Sequence, residues 1–296
     1  MSPHLLSSSF KLLVVAALIV FVTGCTTTTS PEAVLTVPAA PQKYAAIVVD
    51  AHTGQQLFAE NATAERYPAS LTKMMTLYLL FEALQQGRVT RTTPIPVSAH
   101  AASQPPTKLY FKPGQTIDVD TAIHALTVKS ANDVAVAVAE YLGGSEENFA
   151  ARMTAKGRQI GMRNTVFRNA SGLPDPAQHT TARDMALLGM ALRKHFPQYY
   201  SYFSATEFVF RGKRIRGHNR MLKKVAGVDG IKTGYTRASG FNIATSYNAG
   251  GRSLVLVVMG ADSSRKREAH CQALLQRVLG KSLDDTRLVY ADQPAL

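Results

Sequence analysis

The hydrophobic period of the chain changes twice, and these changes limit the folds that it can adopt. Two short β-rich runs, 44–50 and 56–60, lie near the start, with a Thr53-Gly54 turn between them. Residues 70–195 carry apolar side chains at three- and four-residue spacing, which predicts helices. Strand patterns return from residue 208 onwards. We therefore expect an α+β fold, in which one antiparallel sheet is assembled from both ends of the chain and an all-helical subdomain packs against it.

Local signals set the expected bounds of the elements. Ser70 is placed as the N-cap or a first-turn residue of the first helix, and Gly87 ends that helix. The predicted helices are 70–86, 120–127, 133–141, 146–160, 181–195 and 265–279. The predicted later strands are 208–210 and 214–217, which form a hairpin, then 228–233, 241–247 and 253–259.

The first 24 residues have the pattern of an export signal. Lys11 precedes an apolar run, 12–22, that is too short to form a stable membrane span. The string Val22-Thr23-Gly24-Cys25 resembles the lipobox of bacterial lipoproteins, in which the signal is cut before a cysteine that carries the lipid. An ordinary secretory signal cut near Ala39-Ala40 is the alternative. We expect an exported lipoprotein, tethered to a membrane at its periplasmic face through Cys25.

The rest of the chain divides by composition. Residues 25–43, rich in Thr and Pro, predict a flexible tether; 44–280 predict one folded domain, and 281–296 a C-terminal tail. With Cys25 lipidated, Cys271 has no partner for a disulfide and is expected to be a small buried side chain.

The chain is strongly basic, with a net charge of +13. Its Lys and Arg residues are scattered, and an exported protein meets no chromosome, so nucleic acid is not expected as a partner. Anionic lipid, wall polymer and peptide carboxylates fit better. The sequence has neither a G-x-S-x-G nor an H-E-x-x-H motif, and we expect neither a metal nor another cofactor.

Three short strings carry residues suited to chemistry. Ser70-Leu71-Thr72-Lys73 is S-x-x-K at the start of a helix, Ser130-Ala131-Asn132 is S-x-N between helices, and Lys232-Thr233-Gly234 is K-T-G at the end of a strand. S-x-x-K or S-x-N alone is a weak signal. Their order, wide separation and different structural contexts make a chance combination improbable.

The three strings together resemble the low-molecular-mass penicillin-binding proteins, specifically the serine-type D-alanyl-D-alanine carboxypeptidases of peptidase family S11. The resemblance extends through 68–76, 182–187 and 228–236, and covers about residues 43–279. It implies a β-lactamase/transpeptidase-like fold, the peptidoglycan stem peptide as substrate and β-lactam antibiotics as inhibitors. Many members carry a further C-terminal β-domain and an anchor helix. Only seventeen residues follow Leu279 here, so we expect the N-terminal lipid to anchor the protein.

The spacing also has a physical reason. A serine hydroxyl needs a base within reach, and positions i and i+3 of a helix share a face, so Lys73 lies beside Ser70. Lys73 acts as a base only when neutral, a state favoured by burial, the helix N-terminus and the charge of Lys232. Ser130 is expected to relay the proton to the leaving amine, and Asn132 to hold the substrate amide and orient Lys73.

The third string suits recognition of a terminal carboxylate. Lys232 and Thr233 supply donors for it, and Gly234 lets the substrate backbone approach the strand. The backbone N–H groups of Ser70 and Tyr235 are expected to form the oxyanion hole. Two arginines match positions of the family near the cleft. Arg267 resembles a carboxylate-contacting residue and Arg220 a cleft residue, and for each a plain surface or packing role is as well supported.

Three other functions share parts of this sequence pattern. A DD-endopeptidase that cuts wall cross-links would use the same catalytic residues, so the sequence leaves it open. A class A β-lactamase fits less well, because the second motif is S-A-N and residues 153–184 contain no glutamate to activate water. A non-catalytic wall-binding module is expected to have lost Ser70 or Lys73, and both are present.

Overall fold

The computed structural model of the chain describes residues 43–280. The expected signal, the lipidation site Cys25, nearly all of the tether and the tail 281–296 lie outside the described residues. No helix within residues 43–280 has the length and apolar character needed to cross a membrane.

Nine strands and eight α-helices are described. The strands are β1 Ala45–Asp50, β2 Gln56–Glu60, β3 Pro94–Pro96, β4 Thr116–Asp118, β5 Glu207–Phe210, β6 Lys213–Arg216, β7 Val228–Thr236, β8 Gly240–Ala249 and β9 Arg252–Ala261. The helices are α1 Lys73–Gln85, α2 Ala99–Ser103, α3 Val119–His124, α4 Asn132–Gly143, α5 Glu146–Gln159, α6 Ala182–His195, α7 Met221–Lys224 and α8 Ser264–Leu279. Short 3-10 segments at Ala69–Thr72 and Pro197–Ser204 and a π-helical turn at Ala125–Lys129 complete them.

The main sheet joins both ends of the chain. Its five strands run in the order β2-β1-β9-β8-β7, and every neighbouring pair is antiparallel. The expected single sheet with a helical insertion is therefore confirmed. The remaining strands form two small pairs, β3 with β4 and β5 with β6.

Both faces of the sheet are covered. On β9, Val255 and Val257 face the larger core with α1, α4 and α6, whereas Leu254 and Leu256 face a smaller core with α8. This explains the unbroken apolar run of β9, because a central strand buries both sides of its pleat. Cys271 is fully buried in the smaller core, as expected, and burial raises the pKa of its thiol to about 12.

Four boundaries differ from expectation near the motifs. Ser70 is not the N-cap of α1; it lies in the preceding 3-10 turn, because the backbone there is bonded at three-residue spacing, with the Leu71 nitrogen donating to the Pro68 carbonyl at 3.2 Å. The helix expected at 120–127 begins as α3 and ends in the π-helical turn. Asn132 opens α4 instead of lying in a loop, and β7 runs on past the K-T-G string to Thr236.

Candidate active site

Ser70 lies on a tight turn that is packed between two glycines. A Cβ on Gly234 of β7 would lie 2.9 Å from the Ser70 nitrogen, and one on Gly172 would collide with the carbonyl of Ala69. Gly172 also has φ of +83°, which disfavours any other residue. Gly234 is thus needed where the strand meets the serine turn. Its role in letting a substrate backbone approach the strand stays a prediction from the sequence.

The turn is also attached to the neighbouring strand by Asn242 of β8. Its Nδ2 donates to the carbonyl oxygens of Tyr67 at 2.9 Å and Pro68 at 3.3 Å, just before Ser70. Its Oδ1 accepts from the backbone nitrogen of Gly260 at 2.9 Å. Asn242 is fully buried, so these bonds fix the height of the serine turn above the sheet.

Lys73 is fully buried in the first turn of α1, and its amine contacts three groups. Its Nζ lies 3.4 Å from Ser70 Oγ, 2.7 Å from Asn132 Oδ1 and 2.5 Å from the carbonyl oxygen of Ser171. The structure therefore brings together the first serine, the lysine and the asparagine of the motifs.

The surroundings of Lys73 favour its neutral form. Burial lowers its pKa well below the ordinary value of 10.5, and the positive charge of Lys232 lowers it further. Asp133 and Glu146 act in the opposite direction, because a nearby negative charge favours the ammonium. The net result favours the neutral amine, the form of Lys73 that can accept a proton.

Ser130 lies between the π-helical turn and α4 in a left-handed conformation, with φ of 62°. Its Oγ is buried and has no hydrogen-bond partner among residues 43–280. Its carbonyl accepts from the Thr107 hydroxyl at 2.9 Å. An unpartnered buried hydroxyl in a cleft is available to a bound molecule.

Asn132 links Lys73 to the segment 105–107. Its Nδ2 donates to the Pro105 carbonyl at 2.8 Å, and its backbone nitrogen donates to the Thr107 carbonyl at 2.7 Å. The next residue, Asp133, is fully buried and accepts from the backbone nitrogens of Leu109 and Val134. One N–H of the Asn132 amide remains for a substrate.

The K-T-G string lies on β7, which pairs with β8 alone and so forms an edge of the main sheet. An edge strand presents unpaired N–H and C=O groups at alternate residues, to which a peptide can add as a further strand. Thr233 and Gly234 line the cleft there. Tyr235 is 56% exposed and its ring packs at 4.2 Å on that of Phe241.

Two buried cations lie behind this edge. Lys232 donates to the carbonyl of Thr233 at 3.0 Å, and burial, with the nearby charge of Arg267, lowers its pKa to about 7. Arg267 of α8 donates to Glu268 and to the Asn242 carbonyl, both at 3.3 Å, and its Nε has no partner within residues 43–280. The cluster is short of negative charge, which favours an anionic ligand.

These groups line one cleft of about 520 Å³. Its lining includes Ser70, Ser130 and Asn132 together with Thr233, Gly234, Tyr235 and Arg267. Arg220 also lines the cleft and is exposed, together with His218. The expected site residues thus converge, with Lys73 and Lys232 buried beneath the cleft surface.

Sequence reasoning missed Ser171, Gly172 and Asn242. Ser171 acts through a main-chain carbonyl, which any residue type could supply, and Asn242 lies within an ordinary strand pattern. The string Asn169-Ala170-Ser171-Gly172 carried one usable signal, because an Asn and a Gly at that spacing predict a tight turn. In the structure Asn169 Oδ1 indeed accepts from the Gly172 nitrogen at 2.7 Å.

Comparison with known proteins assigns the chain to one family. The sequence profile of peptidase family S11, described as D-alanyl-D-alanine carboxypeptidase, matches residues 32–263. D-alanyl-D-alanine carboxypeptidase DacA of Escherichia coli is 36% identical over 81% of this chain and 62% of its own length. The chain thus spans about three-fifths of the length of such curated relatives.

Solved structures of penicillin-binding proteins and carboxypeptidases have the same fold as this chain. The D-alanyl-D-alanine carboxypeptidase DacD from Francisella tularensis superposes with a TM-score of 0.77 at 30% identity, over 79% of this chain and 69% of that one. Penicillin-binding protein D2 from Listeria monocytogenes, in its ampicillin-bound form, superposes with a TM-score of 0.70 at 26% identity, over 81% and 97%. The fold is that of the penicillin-binding proteins, as expected. The chain belongs to the D-alanyl-D-alanine carboxypeptidase family of serine peptidases.

Proposed function

We propose that the protein is a serine DD-peptidase that removes the terminal D-alanine from a peptidoglycan pentapeptide through an acyl-enzyme on Ser70. The observation that carries this proposal is the fully buried Lys73 amine, 3.4 Å from Ser70 Oγ and hydrogen-bonded to Asn132 and the Ser171 carbonyl. A lysine so placed is held next to the hydroxyl in a neutral, basic state.

The reaction follows from this geometry. Neutral Lys73 accepts the Ser70 proton while Oγ bonds to the carbonyl carbon of the penultimate D-alanine. The amide C–N bond then breaks, and the leaving nitrogen takes a proton that passes through Ser130, whose buried hydroxyl is otherwise unpartnered. Water hydrolyses the resulting ester and restores the Ser70 hydroxyl. The backbone N–H groups of Ser70 and Tyr235 stabilise the oxyanion.

The carboxylate of the substrate is assigned to the cationic side of the cleft. Lys232 supplies charge, Thr233 a hydroxyl, and Arg267 its unpartnered Nε–H. The same groups suit the carboxylate of a penicillin. The ampicillin-bound structure of the Listeria relative supports β-lactams as inhibitors of this protein.

We also propose that the protein is exported and attached to a membrane. The lipobox-like string at Cys25 supports export and lipid attachment, which would tether the domain by residues 26–43 at the periplasmic face of a membrane. The scattered positive charge then favours the anionic wall and lipid surface around it, and no nucleic acid is assigned as a partner.

The test is product analysis with purified protein. A pentapeptide ending in D-Ala-D-Ala should release free D-alanine, whereas the same peptide amidated at its C-terminus should react about thirty- to a thousand-fold more slowly, because an amide cannot replace a charge-assisted carboxylate contact. Ser70→Ala is the control for background hydrolysis. Faster cleavage of cross-linked dimers than of pentapeptide would replace this activity by that of a DD-endopeptidase.

A further inference from the structure

Glu146, the first residue of α5, lies behind the active site and holds the loop that contacts Lys73. Its Oε1 accepts from the backbone nitrogen of Ala170 at 3.0 Å. The carbonyl of Ala170 accepts from the Thr76 hydroxyl at 2.7 Å, and the next carbonyl, that of Ser171, accepts from Lys73. Moving the Glu146 carboxylate would therefore move the acceptor of the Lys73 amine.

The other carboxylate oxygen reaches the short helix α2, which precedes the Pro105 segment. Glu146 Oε2 lies 3.0 Å from Nε2 of His100, in the short helix α2. Pro105 lies two residues after the end of α2 at Ser103, and its carbonyl accepts a hydrogen bond from Asn132. One side chain thus ties together the two segments that bind the ends of the Lys73–Asn132 pair.

The charge of Glu146 also faces the site. The charged groups that act on Lys73 are Lys232 on β7, Asp133 on α4 and Glu146 on α5. Glu146 and Asp133 oppose the effect of burial and raise the pKa of Lys73. The Glu146 side chain is 16% exposed, so solvent screens its charge little.

Around Glu146 itself the titratable and charged neighbours are His100 on α2, Glu140 and Tyr141 on α4, Glu147 on α5 itself and Arg168 in the loop after α5. Both carboxylate oxygens of Glu146 have protein partners. Its contacts suit a supporting role for another residue.

We propose that Glu146 is a positioning residue, whose carboxylate holds the Ala170–Ser171 segment and thereby the Ser171 carbonyl that contacts the Lys73 amine. This inference rests on the proposed function, since it assigns a role within the acylation of Ser70. If Glu146 has this role, removing its charge and shortening its side chain should affect the acylation of Ser70 in different ways. A residue that only supports the fold would not show that difference.

The experiment measures the rate of acylation by labelled penicillin from about pH 5 to about pH 10, the range in which a perturbed lysine titrates. Glu146→Gln keeps an acceptor but removes the charge. The acid limb of the rate profile should move about half a unit to one unit lower in pH, because Lys73 then loses its proton more easily. Glu146→Asp keeps the charge on a shorter side chain, so the limb should stay while the plateau rate falls.

Glu146→Ala removes both features and leaves the Ala170 N–H unpaired, so acylation should slow about ten- to a hundred-fold at its plateau. Glu147→Gln is the matched control, since Glu147 is exposed on the same helix turn, and should change neither quantity. If Glu146→Ala does not fold, the Gln and Asp variants still separate charge from reach.

The outcomes are distinct from those of the proposed function. An unlabelled wild-type protein would contradict the acyl-enzyme itself. A wild-type protein that is acylated, together with a Gln variant whose acid limb is unmoved and an Asp variant with full rate, would overturn the role of Glu146 alone.

Discussion

Replacing Lys232 by Met should stabilise the folded protein and weaken its recognition of a carboxylate-ended substrate. Lys232 is 1% exposed, and within residues 43–280 its ammonium has one hydrogen bond, to the Thr233 carbonyl at 3.0 Å. Burial, followed by the charge of Arg267, lowers its pKa from 10.5 to about 7. Such a shift means that the folded state disfavours the charged form.

The size and the pH dependence of the effect follow from that shift. About 3.5 pKa units correspond to roughly 5 kcal/mol against the ammonium in the folded state. The unfolded chain keeps this proton up to about pH 10.5, whereas the folded chain loses it near pH 7, so stability from this group rises with pH between those values. The full cost is therefore present below pH 7 and disappears towards pH 10.5.

Methionine has a stem of similar length and carries no charge, so it avoids this cost. It loses the hydrogen bond to Thr233, worth about 1 kcal/mol. The free energy of unfolding of Lys232→Met should then exceed that of the wild type by about 4 kcal/mol near pH 6 and by about 1 kcal/mol near pH 9.

Urea unfolding of both proteins at the two pH values measures the difference, with the exposed Lys223→Met as the control. In parallel, kcat/KM for a D-Ala-D-Ala peptide should fall about thirty- to a thousand-fold. The cost assigned to the buried Lys232 ammonium would be contradicted by a Lys232→Met variant less stable than the wild type near pH 6. An equal increase in the free energy of unfolding at both pH values would contradict it too.

Four further changes test the remaining parts of the site and the anchor. Ser70→Ala should abolish labelling by penicillin and leave the circular dichroism spectrum unchanged; a labelled variant would point to another nucleophile. Gly234→Ala should slow acylation about a hundred-fold, because the added Cβ would press on the Ser70 nitrogen. The control is Gly157→Ala, whose Cβ meets nothing closer than 3.6 Å, and equal acylation rates in the two variants would contradict the prediction. Asn242→Ala should lower the free energy of unfolding by about 2–4 kcal/mol in urea, since it leaves its buried backbone partners unpaired, and a loss below about 1 kcal/mol would argue against the link to the serine turn. Cys25→Ala should move the protein from the membrane fraction to the soluble one, and retention with unchanged lipid in mass spectrometry would contradict lipidation.

The fold could be predicted from the sequence wherever a period was long and strong. The runs behind β8, β9 and α8 gave the correct element type, and strands at both ends of the chain indicated one sheet. The short segments β3, β4 and α2 were missed, because three to five residues hold too little of any period to be distinguished from a loop.

The local geometry at the motifs could not be predicted. Ala69 and Ser130 both have positive φ, a conformation that sequence patterns assign to glycine or asparagine. The surrounding structure imposes it: Gly172 and Gly234 pack against the backbone on either side of the serine turn, and Thr107 is bonded to the Ser130 carbonyl. Tertiary contacts of this kind override local preference.

The chemistry of Lys73 shows why side chains alone define only part of such a site. A neutral amine has two hydrogens and one lone pair. Two of its three neighbours, Asn132 Oδ1 at 2.7 Å and the Ser171 carbonyl at 2.5 Å, can only accept hydrogen bonds, so they take the two hydrogens. The lone pair is then left for Ser70, the one neighbour that can donate, at 3.4 Å. The S-x-x-K spacing places the lysine beside the serine, but the direction of its lone pair depends on a main-chain oxygen almost a hundred residues further along the chain, which no motif records.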